Sequence, residues 1–236
     1  MQSNADVSGP TGDDAVKPLR GDAVYEWVRD RIIDGRLPPG SRIRERDLAE
    51  EIRVSRVPIR EAFPRLEAEG YIRTLPRRGA VVAPMAISDV RELFDVRASL
   101  EVLAARLAAM QCAAGAAGDE LRTALERAER AVVADPARTP EAQNQEIADA
   151  TSAFHEAIVE LSGNALLRDL MPPISGRVKR LFHLANERDD LDLHREHRDL
   201  CDAILRGQGE RAAALALAHV EHSRAETLPL LERSAE

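Results

Sequence analysis

Apolar residues recur at helical spacing on two short neighbouring stretches between positions 48 and 70. Leu48, Ala49 and Ile52 share one face of the first stretch. The apolar face of the second stretch consists of Ile59, Ala62, Phe63 and Leu66. The polar residues between the two stretches, 53–55, are too few to form a loop of their own. This pattern predicts a helix-turn-helix, a motif whose second helix fits the major groove of DNA.

The pattern changes from helical to strand-like after Gly70. Two short β-prone runs, 71–75 and 80–83, flank a turn that contains proline and glycine, and together they predict a hairpin. A hairpin packed behind the second helix would make the winged form of the motif, with Arg77 and Arg78 at its tip. A further helix is predicted before the motif, from about Asp22 to Asp34.

Beyond position 86 the apolar residues follow the helical period throughout. Glycines and prolines divide this part into six predicted helices, at 87–114, 119–135, 140–162, 165–186, 191–206 and 210–232. The Pro172-Pro173 pair should break or kink the fourth of them. We therefore predict a mainly α protein with a winged helix-turn-helix at 19–84 and an all-α six-helix bundle at 85–232. The polar residues 1–18 are predicted to form a disordered tail.

The net charge of −8 is distributed unevenly along the chain. Residues 19–84 contain 14 arginines and 11 acidic residues, whereas the part after 84 has 18 basic and 27 acidic residues. A mildly basic unit on an acidic body favours a protein that meets DNA with one end only. Cys112 and Cys201 are too few for a disulfide framework, and no apolar run is long enough to span a membrane. We expect reduced cysteines in a cytoplasmic protein.

Two arginines near the start of the second predicted helix, Arg56 and Arg60, lie one turn apart, where this motif contacts base edges. The stretches GRLPPG at 35–40, RDLA at 46–49 and VSRVPIREA at 54–62 resemble the DNA-binding domain of GntR-type bacterial transcriptional regulators. The resemblance implies that Arg46, Arg56 and Arg60 contact operator DNA and that Gly79 enters the minor groove. The predicted DNA-contacting residues are Arg46, Ser55, Arg56, Val57, Arg60, Arg77, Arg78 and Gly79.

Two residues depart from what this DNA-binding motif usually requires. Arg53 stands in the turn where the family usually has glycine, which predicts a left-handed residue at a cost of about 1 kcal/mol. Pro64 lies inside the second helix and removes its hydrogen bond to the Arg60 carbonyl. We expect a kink between Arg60 and Arg65.

The second half resembles the FCD ligand-sensing domain of the FadR branch of these regulators over roughly 87–228. The residues that carry the resemblance are ELFDVR at 92–97, LE at 100–101, FH at 154–155, SGN at 162–164, EHR at 196–198 and His219. Six predicted helices rather than seven are similar to the VanR-like subgroup.

Helical periodicity turns three histidines, His155, His197 and His219, toward the interior of the bundle from three different helices. Such residues could converge on a metal, although a lone inward histidine is more often a core residue. In many family members an aspartate one turn before the first histidine completes a divalent metal site, but this chain has Thr151 there. The site could therefore bind a metal (Zn, Ni or Mn) through the three histidines, bind it only with an effector, or bind none. The other histidines, His183, His194 and His222, are predicted to be surface or supporting residues.

Arg97 lies at the centre of the apolar face of its helix. A buried guanidinium needs an anionic partner because an unpaired buried charge costs several kcal/mol. The partner could be internal, such as a carboxylate of a neighbouring helix. The family instead implies a clamp for the carboxylate of a small organic acid. The predicted effector-binding residues are Arg97, Thr151 and Asn164.

The function predicted from these features is that of a homodimeric transcriptional regulator. It would repress from an inverted-repeat operator, and a small acid bound in the bundle would control its affinity for that DNA. A metal-dependent helical hydrolase is the alternative from another class, because three histidines can leave a coordination position open. Against that alternative, no recognisable motif places a carboxylate beside the histidines. A DNA-binding protein with an unliganded structural bundle is the third alternative.

Overall fold

The computed structural model describes residues 21–76, 78–133, 138–185 and 190–234. Within these ranges the chain forms nine helices and one three-stranded sheet, which confirms the mainly α fold. The predicted tail at 1–18 and Arg77 of the predicted wing tip lie outside the described residues. The predicted domain limits stay predictions.

The N-terminal unit contains the helix-turn-helix. Its elements are α1 (Gly21–Ile33), β1 (Arg42–Ile43), α2 (Glu45–Glu51), α3 (Arg56–Ala68), β2 (Ile72–Leu75) and β3 (Gly79–Val82). Helix α1 packs against α3, and Val24, Val28, Ile59 and Leu66 form part of the shared core. Arg53, in the turn between α2 and α3, has a φ angle of 54°, so the predicted left-handed residue is confirmed.

The wing is an antiparallel sheet of strand order β1-β3-β2. Leu75 pairs with Gly79 and Ile72 with Val82, which confirms the predicted hairpin. Strand β1 was not predicted, because two residues are too short to show an alternating pattern. Gly79 has a φ angle of 84°, and a side chain there would clash with the Ile43 carbonyl of β1. Glycine therefore allows β1 and β3 to approach closely.

The C-terminal unit is the predicted bundle of six helices. They are α4 (Ile87–Ala113), α5 (Asp119–Ala131), α6 (Pro140–Leu161), α7 (Ala165–Leu184), α8 (Asp190–Leu205) and α9 (Gly209–Ser234). Helix α4 packs against α6, α7, α8 and α9. Small residues of α4 such as Ala104 and Ala108 let these neighbours approach, with Phe154, Leu200 and Ile204 filling the core between them.

The internal prolines do not end their helices. Helix α3 continues through Pro64, and α7 continues through Pro172-Pro173. A break at the latter pair was therefore the wrong alternative, and a kink at either site stays a prediction. Each proline removes one helical hydrogen bond, but buried neighbours such as Phe63 and Met171 keep both helices packed on their cores.

Helix α7 connects the two units. The Arg177 side chain donates a hydrogen bond from Nε to the Glu69 carbonyl at 2.8 Å, and Arg180 donates from Nη2 to the Ala83 carbonyl. Gly176 leaves the room that the Tyr71 hydroxyl occupies. A movement of α7 would therefore displace these contacts with the N-terminal unit. Among the described helices, none is both long and apolar enough to cross a membrane.

Candidate nucleic-acid interface and histidine centre

The start of α3 presents the predicted base-contacting residues to solvent. Ser55, Arg56, Val57 and Arg60 are all exposed. Ser55 occupies the N-cap position of α3, yet its side chain makes no capping hydrogen bond. Val57 is 62% exposed, which is unusual for an apolar side chain and suits contact with a thymine methyl group.

Two of the predicted DNA-contacting arginines, Arg60 of α3 and Arg46 of α2, are paired with acids at the surface. Arg60 Nε lies 2.8 Å from Glu45 Oε2, and Arg46 Nε lies 3.3 Å from Asp47 Oδ1. Pairs between exposed side chains typically contribute about 0–1 kcal/mol, because water and salt screen them. DNA phosphates and bases can therefore replace these acids at little cost.

The wing lies beside this helix. Arg78 is exposed, and its carbonyl accepts hydrogen bonds from the Arg42 guanidinium at 3.1 and 3.3 Å. Arg42 was not among the predicted contacts, and it extends the basic surface to the sheet. Glu67 of α3 accepts hydrogen bonds from the Thr74 amide and hydroxyl of β2, so the wing is tied to the recognition helix.

The bundle brings His155 of α6, His197 of α8 and His219 of α9 together. One ring nitrogen from each lies within 4.8 Å of the others. The Nε2 atoms of His197 and His219 are 3.2 Å apart. The side chains of His155 and His219 are 16% and 5% exposed.

Two glutamates that no recognisable motif indicated lie directly behind these histidines. Glu101 Oε2 of α4 is 3.3 Å from His155 Nδ1. Glu196 Oε2 of α8 is 2.8 Å from His219 Nδ1, and its Oε1 is 2.7 Å from His222 Nδ1. A signal for Glu101 was present in the sequence, since it follows Arg97 by one helical turn on the same face.

The surroundings favour the ionised form of both glutamates. Burial by itself would raise the pKa of Glu101, but the charges of Arg97 and His155 outweigh it and lower that pKa to about 2. Burial also opposes ionisation of Glu196, where hydrogen bonds with His219 and His222 prevail and lower the pKa. Both glutamates are therefore acceptors for histidine N–H groups at neutral pH.

Arg97 has the internal partner that one of the two interpretations required. Its side chain is 1% exposed, and Nε donates to Glu101 Oε1 at 2.7 Å. The carboxylate belongs to α4 itself and not, as suggested, to a neighbouring helix. The rings of Phe94 and Phe182 flank the guanidinium at 5.1 and 5.5 Å, and Ser223 Oγ is 3.5 Å from Nη1.

The remaining predicted residues have other surroundings. Asn164 caps α7, where its side-chain oxygen accepts a hydrogen bond from the Leu167 amide at 3.1 Å. Thr151 is half-buried one turn before His155 on α6. His194 is buried, so the surface alternative predicted for it was wrong, and burial lowers its pKa. His222 supports Glu196, in line with a supporting role.

The space beside the histidines suits a single ion better than an organic molecule. A cavity of about 10 Å³ is lined by Glu101, His155 and His219, among others, which is about the size of one water molecule. Ligand nitrogens about 2.0–2.1 Å from a tetrahedral zinc ion are about 3.3 Å apart, close to the 3.2 Å between the Nε2 atoms of His197 and His219. Imidazole nitrogens are also common ligands of Zn and Ni. His197 and His219 therefore have the spacing of tetrahedral metal ligands, and His155 lies near enough to serve as a third.

Comparisons with known proteins agree with the division of the fold into two units. Residues 20–82 match the family model "Bacterial regulatory proteins, gntR family", and residues 92–222 match the FCD domain. A probable D-xylose utilization operon transcriptional repressor from Paenarthrobacter nicotinovorans is 31% identical over 86% of this chain and 88% of its own. The HTH-type transcriptional regulator YdhC of Bacillus subtilis is 29% identical over 90% and 92%.

A solved structure shares the whole fold. A transcriptional regulator GntR from Rhodococcus sp. RHA1 superposes with a TM-score of 0.72 at 23% sequence identity. The match covers 89% of this chain and 97% of the Rhodococcus chain. Identity this low supports the fold alone.

Proposed function

The chain belongs to the gntR family of bacterial regulatory proteins and carries an FCD domain, and from that premise we propose a metal-dependent, acid-responsive repressor. The protein is a DNA-binding transcriptional regulator, as its relatives are. They are regulators and not enzymes, so the hydrolase alternative is set aside. Repression is the proposed direction of control, supported by the printed name of the Paenarthrobacter relative. A protein that acts on bacterial operators would work in the cytoplasm.

DNA recognition is proposed for the exposed start of α3. Arg56 and Arg60 would contact base edges in the major groove, with Arg46 of α2 and Arg78 of the wing on the flanking DNA. The single observation that carries this assignment is the solvent exposure of Arg56 and Arg60 on α3, where Arg60 is paired with the surface acid Glu45.

Dimerisation is proposed through an exposed apolar stripe of the bundle. Val96, Leu103 and Met110 lie seven residues apart on α4 and are 43%, 37% and 56% exposed. Leu217 of α9, the helix packed beside α4, is 46% exposed. Apolar side chains at seven-residue spacing form a continuous seam along a helix, which suits a second copy of the same surface. Two recognition helices would then meet an inverted-repeat operator.

The effector is proposed to act at the histidine centre. A divalent metal would be held by His155, His197 and His219, and Thr151 leaves a position that an acid could fill. When bound, such an ion supplies a Lewis-acidic attachment point for a carboxylate. Arg97 is bonded to Glu101, which also contacts His155, so Arg97 would offer the acid a second, positively charged contact. The small cavity means that an organic acid must displace side chains to enter.

Helix α7 is the proposed route from the bundle to DNA. Its Phe182 flanks Arg97, and its Arg177 and Arg180 bond to the N-terminal unit. A shift of Arg97 would therefore displace α7, the helix that positions the DNA-binding unit. The coupling free energy for such effectors is typically about 1–3 kcal/mol.

One combined experiment tests this function. Elemental analysis of the purified protein, before and after chelator, would be paired with thermal melts and with binding to operator DNA captured from genomic fragments. We expect about one Zn, Ni or Mn per chain, a lower melting temperature after chelation, and a footprint with inverted symmetry. Absence of metal together with no melting shift on adding any ion would reject the metal site and favour an unliganded bundle.

Dimerisation has its own control pair. Leu103→Arg should yield monomers by light scattering, whereas Leu166→Arg, at a 67% exposed leucine of α7, should leave the dimer intact. A dimer that survives Leu103→Arg would reject the α4 stripe as the interface.

A further inference from the structure

One carboxylate contacts both an arginine and a histidine at the histidine centre. Glu101 Oε1 accepts a hydrogen bond from Arg97 Nε at 2.7 Å, and Glu101 Oε2 lies 3.3 Å from His155 Nδ1. The shorter contact is with Arg97, so the arginine has the stronger hold on the carboxylate. The hydroxyl contact of the guanidinium, with Ser223 Oγ, is long at 3.5 Å. Arg97 therefore depends on Glu101 for charge compensation.

We propose that Glu101 couples metal binding to carboxylate binding, an inference that rests on the proposed metal site. A metal on one ring nitrogen of a histidine makes the opposite N–H a stronger donor. Metal bound by His155 would therefore draw Glu101 toward Nδ1 and weaken its hold on Arg97. The guanidinium, which cannot lose its charge, would then take an external carboxylate. Metal and acid bind cooperatively in this arrangement.

The second glutamate offers a matched control. Glu196 supports His219 at 2.8 Å much as Glu101 supports His155, but its other oxygen meets His222, which is 34% exposed. Among the described residues, neither buried arginine, Arg97 or Arg180, is bonded to Glu196. Its loss should weaken metal binding by disordering His219 but should leave the link between metal and acid unchanged.

The position of Arg97 explains how this coupling would reach the rest of the protein. Phe94 and Phe182 flank the guanidinium, and Phe182 belongs to α7. Arg97 cannot turn from Glu101 to an external acid without displacing these rings, since close-packed interiors have few voids. The same movement therefore shifts the helix that carries the contacts to the DNA-binding unit.

Calorimetric titration tests the inference with Zn²⁺ as the metal and acetate as the smallest carboxylate probe. In the wild type, saturating acetate should tighten Zn²⁺ binding at least about fivefold, and Zn²⁺ should tighten acetate binding by the same factor. Glu101→Gln should lower this factor, because only the direct contact of acetate with the metal would remain, whereas Glu196→Gln should weaken Zn²⁺ binding but keep the factor. In Glu101→Gln, acetate should also raise the melting temperature without metal, because it replaces the missing carboxylate beside Arg97.

Three outcomes would decide against parts of this scheme. Wild-type protein that binds no Zn²⁺ would reject the proposed metal site itself. Zn²⁺ binding without any acetate effect would overturn the coupling role of Glu101 alone. An equal effect in wild type and Glu101→Gln would do the same, by showing that direct contact of acetate with the metal accounts for the whole effect. If Glu101→Gln does not fold, Glu101→Asp keeps the charge but cannot reach both partners. The inference then requires a reduced coupling factor, and an unchanged one overturns it.

Discussion

The DNA-facing surface and the histidine centre both contain an arginine paired with a glutamate at nearly the same distance. Arg60 and Glu45 are 2.8 Å apart with side chains 65% and 27% exposed, whereas Arg97 and Glu101 are 2.7 Å apart with side chains 1% and 11% exposed. The two pairs have nearly the same nitrogen–oxygen distance, but the first is exposed to solvent and the second is buried. Water can replace either partner of the first pair, whereas the second pair is almost completely shielded from water.

This difference suits the two pairs to different tasks. An exposed pair contributes about 0–1 kcal/mol, so Arg60 can exchange Glu45 for DNA. Removing one partner of a buried pair costs about 3–5 kcal/mol, because the other charge is left without compensation. Arg97 can therefore release Glu101 only when another anion takes its place. The buried Arg97–Glu101 pair therefore suits a response to a bound ligand. The exposed Arg60–Glu45 pair can exchange its acid for any anion in solution.

The largest effect is expected from breaking the buried pair. Arg97→Ala should lower the free energy of unfolding by about 3–5 kcal/mol, because Glu101 loses its closest partner. Arg60→Ala is the matched control and should change stability by less than about 1 kcal/mol. Urea unfolding of both variants measures the difference. Equal losses would contradict the distinction between the two pairs.

The next largest effect is on DNA affinity, which should depend on the exposed arginines of α3 and not on those of the bundle. Arg56→Ala and Arg60→Ala should each weaken operator binding by about 1–3 kcal/mol and relax the preference at one base position. Fluorescence anisotropy on operator variants provides the measurement. Arg198→Ala, an exposed arginine of the bundle, should leave the affinity unchanged. Full selectivity in both α3 variants would rule out base contacts by these residues.

A smaller effect is expected from the backbone of the wing. Gly79→Ala should cost about 1–2 kcal/mol more than Gly40→Ala, because both glycines have positive φ angles but only Gly79 faces the Ile43 carbonyl. Gly40 has open space around it. Thermal melts compare the two variants directly. A similar loss in both would mean that backbone conformation, and not the approach of β1, explains Gly79.

The smallest effect is a pH dependence at the surface. Hydrogen bonds from the Thr74 amide and hydroxyl lower the pKa of Glu67. A group with a lowered pKa in the folded state stabilises above its unfolded pKa of about 4.3, and that stabilisation is lost as the pH falls through the folded value. In Glu67→Gln, stability should therefore fall less steeply below about pH 5 than in the wild type. Identical slopes from acid titration would count against this link between α3 and the wing.

The two regions also differ in how far their residues could be predicted. The helix-turn-helix was readable because its arginines, apolar face and turn lie within a short stretch, and even the left-handed Arg53 was anticipated. The short strand β1 was missed, since only pairing with β3 makes it a strand. In the bundle, the inward histidines were predicted, but Glu101 and Glu196 were not identified as their partners.

The sequence by itself determined the period, length and buried face of each predicted helix, because these depend on spacing along one chain. It thereby indicated the mainly α fold, the exposed arginines of α3 and the inward direction of three histidines. Only the tertiary structure decided which carboxylates meet which histidines, that the partner of Arg97 is Glu101, and that α7 joins the two units. Periodicity states that a side chain points inward, whereas the rotation and offset of neighbouring helices decide what it meets there.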